Sequence, residues 1–199
     1  MPKNDLFPPN LSITQKERST LSGHRALVIW FTGLSGAGKT TLANTLEAAL
    51  YQASVHTYLL DGDNVRSGLN SDLDFSLEGR EENLRRVGEL AKLFLDAGVV
   101  TLCTFISPYR KNREWIKNRV GAENFVEVFV DCPLETCERR DVKGLYKRAR
   151  AGEIKDFTGI DAPFEEPEKP DIYLNTSEQA LIDCIQILVD HIVPKLKLL

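Results

Sequence analysis

Eight consecutive residues, Gly33-Leu34-Ser35-Gly36-Ala37-Gly38-Lys39-Thr40, satisfy the pattern G-x-x-x-x-G-K-[ST] and carry the strongest chemical signal in the chain. Glycines lack Cβ atoms, so the backbone can curl until successive N–H groups point at one anion, and a helix that begins where the run ends adds its positive pole. Lys39 is then set to bridge the β- and γ-phosphates of a nucleotide such as ATP. Thr40 offers a hydroxyl to Mg²⁺, a hard cation that takes only one or two protein ligands. Further along stand Asp61-Gly62-Asp63-Asn64. Asp61 is suited to hold a water of the same Mg²⁺, and Asp63 to accept or direct the proton of an attacking hydroxyl. Taken alone, this run reads equally as an Asp-Gly turn. Arg66, Arg80 and Asn83 follow, the last two sharing a face if the segment is helical. A guanidinium fork matches sulfate or phosphate, and an amide reads a neutral edge of a base or sugar. The ordinary alternative is a solvated arginine paired with Glu81 or Glu82.

These residues need a frame, and the hydrophobic pattern supplies one. The glycine run follows Ala26–Thr32, ALVIWFT, whose apolar and β-branched character predicts a strand buried on both faces of a parallel sheet. Leu42, Leu46 and Leu50 then recur at helical spacing. Val55–Leu60 reads as a second strand ending at Asp61, where a doubly wound sheet opens its ligand crevice. A long helix is predicted over roughly Leu77–Ala97. Strands follow at Val99–Ile106 and Phe125–Asp131 with a helix between them, then a short strand at Ile172–Leu174 and a C-terminal helix from about Ser177. The order implies an α/β fold, a parallel sheet with helices on both faces. Residues 1–24 are polar, carry Pro8 and Pro9, and read as a surface arm ahead of a single domain over 25–199.

With 199 residues, 42% of them hydrophobic, the chain has material for one core. A net charge of −4 with interspersed signs gives no general attraction to nucleic acid. No apolar run reaches the roughly 20 residues of a membrane span, so a membrane partner is not expected. The four cysteines, Cys103, Cys132, Cys137 and Cys184, form no CxxC pair and read as thiols of a reducing cytoplasm. From Arg139 to Lys155 the sequence holds seven Lys or Arg against two acids, a solvated helix face on the simplest view.

From Leu21 to Asn175 the motifs TGLSGAGKTT, DGDNVRSGLN, REENLRRVGELAKLFLDAG, FISPYR and FVEVFVDCPLETCERRDVKGLYKRARAGEIKDFTGIDAPFEEPEKP resemble, in order, those of the adenylylsulfate (APS) kinase family. The resemblance implies a P-loop α/β kinase that uses ATP and Mg²⁺ to phosphorylate the 3′-hydroxyl of adenosine 5′-phosphosulfate (APS), giving PAPS and ADP in sulfate assimilation. It implies a homodimer. It makes Gly33 to Thr41 the ATP loop, Asp61 and Asp63 the acidic catalytic pair, and Arg66, Arg80 and Asn83 acceptor contacts. Phe75 and Phe164 would sandwich the APS adenine, and Ile106 and Ser107 would line the same pocket. Ser107 is also the position the family associates with a phosphoserine. Two bound nucleotides need no such relay, and no histidine adjoins Ser107 in sequence, so direct transfer is the simpler expectation.

The basic segment becomes a lid over about 139–161, with Lys143 and Lys147 toward the phosphates or APS. Ala37 and Thr40 stand where many members carry serine, and Ser67 where histidine is frequent, with no loss of required chemistry. The family also occurs fused to ATP sulfurylase. A chain of this length is expected to be the stand-alone form. Two other readings remain at this point: a P-loop kinase for a polyol or nucleoside monophosphate, and a nucleotide-dependent switch without turnover. Paired Phe75 and Phe164 favour a purine acceptor over the first. Intact Lys39, Asp61 and Asp63 weigh against the second.

Overall fold

The computed structural model describes residues 11–197. Positions 1–10 of the expected arm lie outside the described residues. Five parallel strands form one sheet: β1 (Val28–Thr32), β2 (Thr57–Asp61), β3 (Val100–Thr104), β4 (Phe125–Asp131) and β5 (Ile172–Asn175), in the order β2-β3-β1-β4-β5. Every residue of β1 is buried, as its unbroken apolar run requires of a central strand covered on both faces. Successive side chains of β1 alternate between two cores. Leu27, Ile29 and Phe31 join Leu42, Leu46 and Leu50 of α2 (Lys39–Gln52) and Leu188 and Ile192 of α8 (Leu181–Leu196). Val28 and Trp30 join Leu84, Val87 and Ala91 of α4 (Leu77–Asp96) and Ile116 of α5 (Arg110–Val120).

The remaining helices are short. They are α1 (Gln15–Ser22), α3 (Gly62–Ser67), α6 (Leu134–Arg140), which leads into the basic segment, and α7 (Leu145–Arg150), which lies inside it. Between β1 and its neighbours the connections diverge, because β3 lies on one side of it and β4 on the other. The crevice at the carboxyl end of β1 is therefore the place for a ligand.

Element identities match the sequence pattern, and their ends shift for local reasons. The expected arm contains α1, closed by a capping box in which Thr14 and Glu17 bond reciprocally, and anchored by Arg18 to Asp96 at 3.0 Å. The C-terminal helix begins at Leu181 rather than near Ser177. Asn175 accepts from the Ser177 and Gln179 backbone N–H groups, at 3.0 Å each, and holds that stretch in a turn.

Candidate active site

The loop Gly33–Thr40 leaves the carboxyl end of β1 and enters α2 at Lys39. Glycine is required at position 33, because a Cβ there would lie 2.3 Å from the Val130 carbonyl oxygen. Gly38 caps α2 with φ of 100°, a left-handed conformation, and offers no side-chain acceptor to the helix. The first N–H groups of α2 therefore stay available to an anion.

Lys39 folds back inside the loop, its ammonium donating to the carbonyls of Gly33 at 2.8 Å and Leu34 at 2.7 Å. An ammonium has three N–H donors, so one is left for a ligand. Burial pushes its pKa from 10.5 down to about 8; the nearby Cys137 and Asp61 act in the opposite direction, and Lys143 adds to the fall.

Asp61 ends β2 and caps α3. One of its oxygens accepts from the Thr40 hydroxyl at 2.9 Å and from the Thr104 hydroxyl at 2.8 Å, and the other from the Asp63 N–H at 3.0 Å. Burial pulls the carboxyl upward. The bonds from Thr104, the Asp63 backbone and Thr40, with the charge of Lys143, outweigh it and leave the pKa below the ordinary value. A hydroxyl and an ionised carboxylate in contact are hard oxygen donors, too few for an all-protein cage. They fit Mg²⁺ that draws its remaining ligands from water and phosphate. No group of three or more His, Cys, Asp or Glu side chains suited to a metal occurs among the described residues.

A cavity of about 910 Å³ lies over these groups. Ser35, Gly36, Gly38, Lys39, Thr40 and Thr41 border it, while Gly33, Leu34 and Ala37 form the backing of the loop. On the opposite wall it meets Asp63, Arg66, Phe75, Arg80, Asn83, Ile106 and Ser107. The Asp-Gly run is thus a helix cap at the cavity edge, and the helical arginines face into it rather than into solvent. Arg66 stacks its guanidinium 4.3 Å from the centre of the Phe75 ring and donates to the Asp74 carbonyl at 3.1 Å. Burial, followed by the charge of Arg80, lowers the Arg66 pKa, with Asp74 and Asp63 opposing. Arg80 donates to the Asp156 carbonyl at 2.6 Å, joining α4 to the far end of the basic segment.

That segment borders the cavity through Asp141, Val142, Lys143, Leu145, Tyr146 and Phe157. Lys143 is ion-paired with Asp63, and the Tyr146 hydroxyl donates to the Ser35 carbonyl at 2.9 Å. Lys147 is exposed and does not reach the cavity.

Two expected site residues stand differently from the reading given by resemblance. Phe164 does not border the cavity. Its ring stacks on Phe129 with centroids 5.9 Å apart, so of the expected pair Phe75 is the one that borders the cavity. Ser107 is 2% exposed with φ of 41°, and its hydroxyl is fully engaged: it accepts from the Trp30 indole at 3.0 Å and donates to Thr32 at 2.9 Å. Such a hydroxyl is built into the sheet end, not poised as a nucleophile.

A further group, which sequence reasoning missed, lines the other end of the cavity: Arg140, Thr176, Gln179 and Leu181. Arg140 donates to the Thr176 carbonyl at 2.7 Å and to the Gly36 carbonyl at 3.3 Å, and the Thr176 hydroxyl donates to the Ala37 carbonyl at 2.8 Å. The three tie the phosphate loop to the turn after β5.

Comparison with known proteins follows the same lines. The family profile described as Adenylylsulphate kinase matches residues 25–175. An adenylyl-sulfate kinase of Lactiplantibacillus plantarum is 54% identical over 180 residues, 90% of this chain and 87% of that one. One from an Enterobacter species is 58% identical over 178 residues, 89% of this chain and 88% of that one. Among solved structures, the Mycobacterium tuberculosis APS kinase CysC, in complex with AMPPNP and APS, superposes with a TM-score of 0.80 at 45% identity, covering 85% of this chain and 98% of the other.

Proposed function

This chain belongs to the adenylylsulfate kinase family and phosphorylates APS with ATP, and from that premise we propose a direct transfer between two nucleotides bound in the one cavity. The observation that carries the proposal is the 2.9 Å contact between Thr40 and Asp61, which sets the phosphate loop against the acidic pair. The donor phosphates lie on the free N–H groups of α2, with Lys39 on the β- and γ-oxygens. Thr40 and Asp61 would hold Mg²⁺, which when bound neutralises charge between those oxygens.

Acceptor recognition falls to the opposite wall. Arg66 and Arg80 take the phosphosulfate or neighbouring oxygens, Phe75 gives the adenine a stacking face already backed by the Arg66 guanidinium, and Asn83 and Ile106 complete the pocket. Asp63 orients the 3′-hydroxyl and receives its proton as the hydroxyl oxygen bonds to the γ-phosphorus and the bond from that phosphorus to the β-phosphate oxygen breaks, releasing ADP. Its partner Lys143 then moves from the carboxylate to the phosphate oxygens, so residues 139–161 act as a lid that excludes water from the transfer. Ser107 shapes the pocket through its place beside Trp30 and Thr32 and forms no phosphoenzyme. Arg140, Thr176 and Gln179 serve the donor nucleoside.

The protein works as a homodimer in the cytoplasm, a reading supported by family resemblance and by four buried, unpaired cysteines. No described helix is long and apolar enough to cross a membrane. A coupled ADP-release assay over APS, AMP, gluconate and shikimate tests the acceptor assignment: turnover with APS alone is expected, and comparable turnover with any of the others overturns it.

A further inference from the structure

We propose that Asn70 is a positioning residue for the acceptor site, holding the Asn83 amide so that its NH₂ group, not its carbonyl, is the one offered to the ligand. The inference rests on the reading of Asn83 as an acceptor contact. Asn83 is 4% exposed and borders the cavity from α4, whereas Asn70 is 0% exposed and lies behind it, off the cavity surface. The two side chains are joined by a bond from Asn70 Nδ2 to Asn83 Oδ1 at 3.0 Å. With that carbonyl turned away, Asn83 Nδ2 is the polar atom left for a bound molecule.

The opposite arrangement, with both amides rotated, is disfavoured by what lies at the back. Asn70 Oδ1 is buried and has no hydrogen-bond partner. Rotation would put an NH₂, a group with two donors, into that same partnerless position. Buried orphan N–H groups are rarer in native proteins than under-satisfied carbonyls, because each missing bond costs the desolvation of its donor. The orphan oxygen of Asn70 therefore selects the state in which Asn83 donates. The site accordingly favours an acceptor atom at this point, a ring nitrogen or an oxygen, and disfavours a ligand that presents its own N–H there.

The backbone of Asn70 has a separate task. Its N–H donates to the Val65 carbonyl at 2.9 Å, and its carbonyl accepts from the Leu73 N–H at 3.1 Å, shaping the loop that leads to Phe75. Side-chain substitutions leave those bonds in place and isolate the amide.

The test is a calorimetric double-mutant cycle with APS, repeated with AMPPNP as a donor-side control. Asn70→Leu should weaken APS roughly three- to tenfold and leave AMPPNP unchanged. In an Asn83→Ala background the same change should have almost no effect. Asn70→Asp adds a readout that does not depend on the leucine variant folding. Its neutral carboxyl donates to Asn83 as the amide did, while its carboxylate can only accept and would draw the NH₂ back. APS affinity of Asn70→Asp should therefore fall with rising pH relative to the parent protein. An unchanged affinity in Asn70→Leu, an equal loss in both backgrounds, or a flat pH ratio for Asn70→Asp overturns the proposal. If Asn83→Ala binds APS as tightly as the parent, the acceptor reading of Asn83 is itself wrong, and the inference falls with it.

Discussion

Binding of the ATP analogue AMPPNP should weaken as pH rises above 8, and the cause is Lys39. In the free protein its ammonium is buried against the Gly33 and Leu34 carbonyls, which lowers its pKa from 10.5 to about 8. That depression corresponds to about 3 kcal/mol withheld from the charged form. Polyphosphate restores it, so the pKa rises on binding and nucleotide uptake carries a proton above pH 8. The sign follows from the free state: charged lysine is the binding-competent form, it is complete below pH 7, and it is lost as pH passes through 8. About one molecule in ten keeps the charge at pH 9, so affinity should fall about tenfold from pH 7 to 9, near 1.4 kcal/mol. Burial pushes the Cys137 thiol up to about 12 and also raises Tyr146, while Asp61 remains ionised. Calorimetry in two buffers of different ionisation enthalpy gives both affinity and proton uptake, the latter approaching one per nucleotide at pH 9. An affinity constant from pH 7 to 9.5 without proton uptake would refute the reasoning, since Lys39 would then be fully charged before ligand arrives.

The same burial predicts that Lys39→Met stabilises the ligand-free protein at pH 7 by about 1–3 kcal/mol while abolishing turnover. Between pH 8 and 10.5 the unfolded parent binds more protons than the folded one, so its stability should rise there, and denaturant titrations of the methionine variant should lack that rise. Asp63→Asn should lower kcat by about 10² or more with little change in the KM for ATP, measured by coupled ADP release; a rise in that KM alone would move Asp63 to the donor side. Arg66→Met should weaken APS roughly tenfold and spare AMPPNP, whereas Arg140→Met should do the reverse. Calorimetry on both variants checks the segregation.

Much of the fold was legible because the hydrophobic signal here is local. The ALVIWFT run could only be a strand covered on both faces, and all five residues of β1 are buried. Leu84, Val87, Ala91 and Leu95 announce α4 by their spacing, and the structure ends that helix one residue before the predicted boundary at Ala97. Seven of the eight residues of α1 are polar and the lone Leu21 makes no apolar period. Its sequence signal is the Thr14–Glu17 capping box. At the site, Ser35, Gly36 and Gly38–Thr41 of the phosphate loop, with Asp61, Asp63, Arg66, Arg80 and Asn83, border one cavity.

What sequence could not supply was long-range placement. Arg140 and Thr176 lie more than a hundred positions from the loop they contact, and no local spacing links either to it. The ring of Phe164 stacks on Phe129, a partner that no spacing rule indicates. The engagement of Ser107, beyond the end of β3, depends on Trp30 and Thr32 of β1.

Direct transfer to the acceptor, without a phosphoserine at Ser107, is most directly tested by the stereochemistry at phosphorus. Single-turnover reaction of APS with ATP made chiral at the γ-phosphorus by oxygen isotopes, followed by configurational analysis of the 3′-phosphate, counts the displacements. One in-line displacement inverts the centre, and inversion is the expected result. Net retention would require an even number of displacements, and with it a covalent phosphoenzyme that contradicts the direct mechanism.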